Sequence, residues 1–290
     1  MKLFQKNIVT PGILQNVYPA SWREHRFGLP QPRWERLKGK DFWITGAGTG
    51  YGRCIALALA AAGARVFISG RRIEKIRETM DEGAALGIDV RGCIAVPVDI
   101  RSESDLARAV RNIQLVTPSL YGLVNCAALP QMGETAFPLA AQSTAAWTDI
   151  LATNVTGQWL TCKVALPLLS NGDGFRILFL SSFAGWASTP GFGSYNISKS
   201  AVNSLGASLA AECTVRYPGK DVQINVLVPG EARTEMNQGS TESPYAVVSM
   251  VLVLLSHPPG GPNGFFFNRD GRHLAFAYTQ EYPQPLLAGH

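Results

Sequence analysis

Cysteine and histidine are too few and too scattered here to build a disulfide framework or a metal centre. The five cysteines (Cys54, Cys93, Cys126, Cys162, Cys213) are odd in number and show no paired or ligand-like spacing, and only four histidines occur in 290 residues. Disulfide scaffolds need an even set, and zinc sites need closely spaced Cys/His pairs. No metal is therefore expected, and the cysteines read as reduced core thiols of a cytoplasmic protein. Charge is also sparse, at 16% of residues with a net of +5. The basic residues form no stripe, which argues against nucleic acid and suits a small anionic ligand. The longest apolar run, Tyr245 to Leu255, is too short to span a bilayer, and the amino terminus has no signal-peptide apolar stretch. No membrane partner is expected. Internal repeats and low-complexity tracts are missing too.

What is present is a chain 46% hydrophobic, enough to bury a large core. After Gly39, short apolar strands alternate with helical segments. Strands are expected at 41–45, 65–69, 93–99, 120–125, 175–181, 222–228 and 264–268. Helices are expected at 53–62, 73–86, 102–116, about 144–169, 194–216 and 244–255. Alternation of this kind indicates right-handed βαβ units and a sheet covered on both faces. The fold class is α/β: a single-domain, Rossmann-like, doubly wound parallel sheet over residues 39–271.

Two stretches carry chemistry. The first strand runs straight into Gly46-Ala-Gly48-Thr-Gly50-Tyr-Gly52 and then an alanine-rich helix. Glycines at a strand-to-helix turn let the backbone approach a pyrophosphate, and the helix N-terminus offers free N–H groups. The second stretch leads from Ser182, at the end of a strand, to Tyr195 and Lys199 on a helix. The i, i+4 spacing sets phenol and ammonium side by side. A fixed positive charge lowers a tyrosine pKa from about 10 toward the range useful in acid–base catalysis. Alone, the Tyr-x-x-x-Lys pattern also fits a helix surface pair.

The two stretches together resemble the short-chain dehydrogenase/reductase family, whose glycine motif is Thr-Gly-x-x-x-Gly-x-Gly (Thr45, Gly46, Gly50, Gly52). The resemblance runs from about Gly39 to Gly271 and includes further motifs in order. These are Asp99 after the third strand, Asn125-Cys-Ala-Ala128 with the usual final glycine lost, Asn154, Pro229-Gly230 with Thr234, and Asp270-Gly271. The resemblance implies an oxidoreductase interconverting a secondary alcohol and a ketone by hydride transfer with a nicotinamide cofactor. It assigns Tyr195 as proton donor or acceptor, Lys199 as its modulator, Ser182 as the holder of the substrate oxygen, and Asn154 as a water anchor. The cofactor would lie against Thr45, Gly46, Gly48, Thr49, Gly50, Tyr51, Gly52, Asp99, Ile100, Asn125, Ala127, Tyr195, Lys199, Pro229, Gly230 and Thr234. A homodimer or homotetramer is implied as well. Other readings of the scaffold are a cofactor-binding regulator and an extended-type sugar-nucleotide epimerase or dehydratase.

Cofactor choice turns on the end of the second strand. An NAD enzyme places Asp or Glu there to bond the ribose 2′-hydroxyl. Here Gly70 is followed by Arg71 and Arg72, which favours NADP(H) over NAD(H). A solvated arginine pair at a helix start is the plain alternative. Phe183, Trp186 and Phe192 lie before Tyr195, as an apolar substrate wall or as loop packing. Two departures stand out. Residues 1–38 form an extension rich in Pro, Trp and Phe, and the connection 235–243 is short for the family. A short connection implies an open pocket, which the extension would either cover or leave alone while it buttresses the sheet or a subunit contact. Residues 272–290 form a tail.

Overall fold

The computed structural model describes residues 18–132, 137–186 and 190–275. Residues 1–17 of the extension and 276–290 of the tail lie outside the described residues. Two short helices, α1 (Trp22–His25) and α2 (Gln31–Glu35), precede the first strand. Between them Arg26 and Phe27 both take the left-handed conformation, at φ 50° and 51°. Non-glycine residues keep such angles only where the surroundings over-determine them. They do here: Phe27 is fully buried, its carbonyl accepts from Ser249 Oγ at 2.6 Å, and Arg26 carbonyl accepts from Leu29 N.

Among the described residues, seven strands form one parallel sheet in the order β3-β2-β1-β4-β5-β6-β7. They are β1 (Asp41–Thr45), β2 (Arg65–Gly70), β3 (Cys93–Pro97), β4 (Gly122–Asn125), β5 (Gly174–Leu180), β6 (Asp221–Val228) and β7 (Phe266–Asn268). The intervening helices are α3 (Gly50–Ala61), α4 (Ile73–Ala85), α5 (Glu103–Gln114), α6 (Pro138–Ala141), α7 (Thr144–Leu151), α8 (Gln158–Leu169), α9 (Gly193–Arg216) and α10 (Val248–Leu255). Successive strand residues point to opposite faces, so each strand feeds two cores. Phe42, Ile44, Val66 and Ile68 join α3, α10 and the extension on one face. Trp43, Phe67, Leu123, Ile177 and Phe179 join α5, α8 and α9 on the other. The alanine-rich α3 packs close because its buried side chains are mostly small.

The strands expected at 93–99, 120–125 and 264–268 are each two residues shorter, and three helical segments depart from the sequence reading. The helix after β1 starts at Gly50, not at 53, because the glycine loop itself winds into the first turn. The expected long helix 144–169 is broken by a π-helical turn, Ala152–Gly157. Gly157 there faces Ile100, where a Cβ would sit 2.7 Å from Cγ1. Residues 244–255 begin as a 3₁₀ turn, Pro244–Val247, before α10. The described extension, residues 18–38, is an integral part of the core. Phe27, Leu29, Trp34 and Leu37 are buried with α3 and α10, Trp22 Nε1 donates to Leu86 O at the end of α4, and Arg33 reaches Val253 O and Ser256 Oγ at the end of α10.

Candidate active site

The sheet order reverses between β1 and β4, and in open α/β sheets ligands bind outside the strand carboxyl ends at such a point. A solvent-open cleft lies there. Its floor is the glycine loop. Gly46 has φ +66° and a Cβ on it would lie 2.7 Å from Ala127; a Cβ on Gly52 would lie 2.4 Å from Gly46 O. No other residue makes this turn. Thr49 caps α3 without a side-chain hydrogen bond, so the first N–H groups of the helix stay available.

Of the expected cofactor residues, Gly46, Gly48, Thr49, Gly50, Tyr51, Gly52, Arg71, Arg72, Asp99, Ile100, Ala127 and Thr234 line this cleft. Thr45 and Asn125 are fully buried behind it. Thr45 Oγ1 accepts from Cys126 N at 3.2 Å and Ala127 N at 3.3 Å, tying the ends of β1 and β4 together. Asn125 Nδ2 donates to Cys162 Sγ. Pro229 and Gly230 stand next to the cleft; Gly230 O accepts from Tyr51 Oη at 2.8 Å, and burial pushes the Tyr51 phenol well up. Asp99 is held below the usual carboxylate range, chiefly by hydrogen bonds from Arg101.

Sequence reasoning missed Lys75, Glu235, Met236, Leu129 and Thr153, which also line the cleft. Lys75 was findable, since it lies in the first turn of the helix that Arg72 caps. Glu235 was not, because only the folded connection brings it to α4: Glu235 Oε2 sits 2.6 Å from Arg72 Nη2. Thr153 Oγ1 is buried without a hydrogen-bond partner among the described residues.

The catalytic candidates Ser182, Tyr195, Lys199 and Asn154 are not among the residues lining this cleft; they group around α9 beside it. Ser182 follows β5 and caps a 3₁₀ turn, accepting from Ala184 N at 3.2 Å. Its hydroxyl is near enough to the Tyr195 phenol to favour the phenolate. Lys199, one turn along α9, is buried with Nζ 5.5 Å from the Tyr195 ring centroid and donates to Leu180 O at 2.9 Å. Burial brings Lys199 down from 10.5 to about 8. Burial pushes Tyr195 above its ordinary value, and the Ser182 hydroxyl opposes that rise. The Lys199 ammonium spends a hydrogen bond on the end of β5.

Asn154 is tied into its surroundings. Its side chain is buried, Oδ1 accepting from Leu129 N at 2.7 Å while Nδ2 donates to Leu129 O at 2.9 Å and Ser198 Oγ at 3.0 Å. It therefore fastens the loop after β4 to α9, next to the turn that carries Tyr195. Trp186 is buried, edge-on to Phe266 with centroids 5.5 Å apart, and donates to Ala275 O, so it packs the loop rather than walling a pocket. Phe183 and Phe192 are part-exposed, and Phe192 lies 6.1 Å from the Tyr195 ring.

The family model for short chain dehydrogenases matches residues 40–244. This chain belongs to the short chain dehydrogenase family. It is an oxidoreductase. The dehydrogenase is 31% identical over 215 residues to 2-(S)-hydroxypropyl-CoM dehydrogenase 3 of Xanthobacter autotrophicus, covering 72% of this chain and 79% of the relative. It is 30% identical over 217 residues to the uncharacterized oxidoreductase YciK of Escherichia coli K12, covering 74% and 82%. Among solved structures, a short chain dehydrogenase of Escherichia coli CFT073 complexed with NADPH superposes with a TM-score of 0.73 at 25% identity, covering 81% of this chain and 98% of that one. Within the described residues no helix of this dehydrogenase is long and apolar enough to cross a membrane.

Proposed function

We propose that this dehydrogenase interconverts a secondary alcohol and a ketone with NADP(H). The observation that carries the reading is the Tyr195 ring with the buried Lys199 ammonium 5.5 Å from its centroid and the Ser182 hydroxyl acting on its phenol, in the same chain as a cleft floored by a glycine loop. The residues present fit a dinucleotide. Uncapped N–H groups of α3 suit the pyrophosphate, and the glycine turn leaves no side chain between them and it. At Gly70 a Cβ would meet nothing within 4 Å, which leaves room for a 2′-phosphate between Gly70 and the Arg71, Arg72 and Lys75 side chains.

When bound, the nicotinamide supplies or takes up the hydride. The chain's own residues do the rest. Ser182 Oγ donates to the substrate oxygen and orients its carbon toward the cleft. Tyr195 Oη gives the proton to that oxygen in reduction and takes it in oxidation, and the interaction strengthens as charge develops. Lys199 keeps a positive charge behind the phenol at neutral pH. Phe183 and Phe192 offer apolar surface to the rest of the substrate. The hydroxypropyl group in the Xanthobacter relative's name is a secondary alcohol, and the NADPH in the Escherichia coli neighbour matches the arginine pair; both support the reading. Part-exposed Trp159 on α8 and Ile197 on α9 support self-association through those helices, and the free, mostly buried thiols support a reducing, cytoplasmic setting. The test is cofactor oxidation at 340 nm against a panel of ketones, and cofactor reduction against the matching alcohols. Tight binding of NADPH with no turnover in either direction would sink the proposal.

A further inference from the structure

Resting on the NADP(H) reading, the geometry points to Glu235 as the residue that sets how strongly this dehydrogenase discriminates a 2′-phosphate. Its carboxylate occupies the cations that such a phosphate needs. Oε2 lies 2.6 Å from Arg72 Nη2 and Oε1 lies 3.9 Å from Lys75 Nζ. All three side chains line the cleft together with Gly70 and Arg71. Arg71 makes no salt bridge among the described residues and acts on Asp99 only through longer-range charge. One arginine is thus open to a ligand and the other is engaged by an internal anion.

The balance of forces favours displacement. The Arg72–Glu235 pair is about half exposed, with 53% and 48% of the side chains accessible, and exposed pairs of this kind are weak. Hydrogen bonds from arginine to phosphate are charge-assisted and stronger. The phosphate therefore takes Arg72, and Glu235 must swing away. The swing need not open the connection after β6, because other bonds hold it. Thr234 and Asn237 exchange backbone hydrogen bonds at 3.2 Å, Arg233 N donates to Glu242 O at 2.8 Å, and Glu242 pairs with Arg269 at 3.5 Å. Lys75 is shared too, with Nζ 2.9 Å from both Glu78 oxygens. Displacement costs the dehydrogenase affinity for the phosphorylated cofactor and costs nothing for NADH, which has no 2′-phosphate. Glu235 thus tempers a preference that the arginines create.

The experiment is equilibrium titration of NADPH, NADH, adenosine 2′,5′-bisphosphate and 5′-AMP against the wild type, Glu235→Gln and Glu242→Gln. Glu235→Gln should tighten NADPH and the bisphosphate by about two- to fivefold, the range of one exposed ion pair, and leave NADH and 5′-AMP unchanged. The gain should shrink in high salt, which screens exposed charges. Glu242→Gln removes the same charge from the same connection away from the cleft, and should leave all four unchanged. No selective gain in Glu235→Gln, or an equal gain in Glu242→Gln, overturns the assignment. The wild-type NADPH-to-NADH ratio alone judges the cofactor reading, and the change in that ratio on substitution alone judges Glu235.

Discussion

Phe27 lies flat on Tyr245, with ring centroids 5.9 Å apart and planes inclined by 7°. The contact joins the extension before β1 to the residues that follow the short connection after β6. Tyr245 is held from the other side by Glu82 of α4, whose Oε1 accepts from its hydroxyl at 3.0 Å. None of residues 18–38 lines the cofactor cleft. The described extension therefore holds α10 against α3 and α4 and does not cover the pocket. Phe27→Ala should lower unfolding free energy by about 3–5 kcal/mol, the usual cost of truncating a buried phenylalanine. Chemical denaturation measures it. KM should stay at the wild-type value once the protein is folded, and a raised KM with unchanged stability would return the extension to the pocket.

The glycine loop yields a sharper contrast. A methyl on Gly52 would lie 2.4 Å from Gly46 O, whereas one on Gly70 would meet nothing within 4 Å. Gly52→Ala should weaken cofactor binding by more than about tenfold, because the turn must open by several tenths of an ångström and misplaces the N–H groups. Gly70→Ala should bind NADPH normally. Gly70→Asp places a carboxylate where it bonds a ribose hydroxyl and repels a 2′-phosphate, so it should move the preference toward NADH. Titration of both cofactors against the three variants decides, and an unaltered ratio in Gly70→Asp would remove Gly70 from the specificity argument.

The sheet, the glycine turn and the Ser182–Tyr195–Lys199 set were legible because each is written in local spacing: alternating apolar runs, glycines at one strand end, i and i+4 on one helix. The Arg72–Glu235 pair was not, because 163 residues separate its members and only the packing of the connection against α4 joins them. The π-helical turn at Asn154 was hidden for a related reason. Residues 152–157 carry no helix breaker until Gly157, and the turn's contacts are with Leu129 and Ile100, which lie far from it in sequence. The fate of the extension was half legible. Its aromatics signalled packing, but nothing local said that α10 would be the surface.

Lys199 should leave a mark on stability as a function of pH. Its pKa falls from 10.5 unfolded to about 8 folded, so between those values the unfolded chain binds more protons. Stability contributed by this group then rises with pH from about 8 to about 10.5, and below 8 the full cost of burying the cation is present. Lys199→Met cannot titrate and should flatten that part of the profile while abolishing turnover. Thermal melts from pH 7 to 10.5 on both proteins provide the comparison. Parallel profiles would mean that the buried ammonium keeps its ordinary pKa.

Tyr195 and Ser182 should separate chemistry from binding. On the proposed mechanism Tyr195→Phe keeps the ring beside Phe192 but removes the proton-exchanging hydroxyl, so turnover should vanish while NADPH affinity stays within about twofold, as expected of a group used only in the transition state. Ser182→Ala removes the proposed donor to the substrate oxygen and should lower kcat by about 100- to 1000-fold, as loss of one oxyanion donor does. It also removes the hydroxyl that opposes the burial-driven rise of Tyr195. The residual alcohol oxidation, which needs the phenolate, should therefore require higher pH, and the rising limb of kcat/KM should move up in Ser182→Ala. A purely structural serine would lower the plateau and leave that limb where it is. The pH–rate profile of the variant distinguishes the two, and an unmoved limb would confine Ser182 to capping the turn at Ala184.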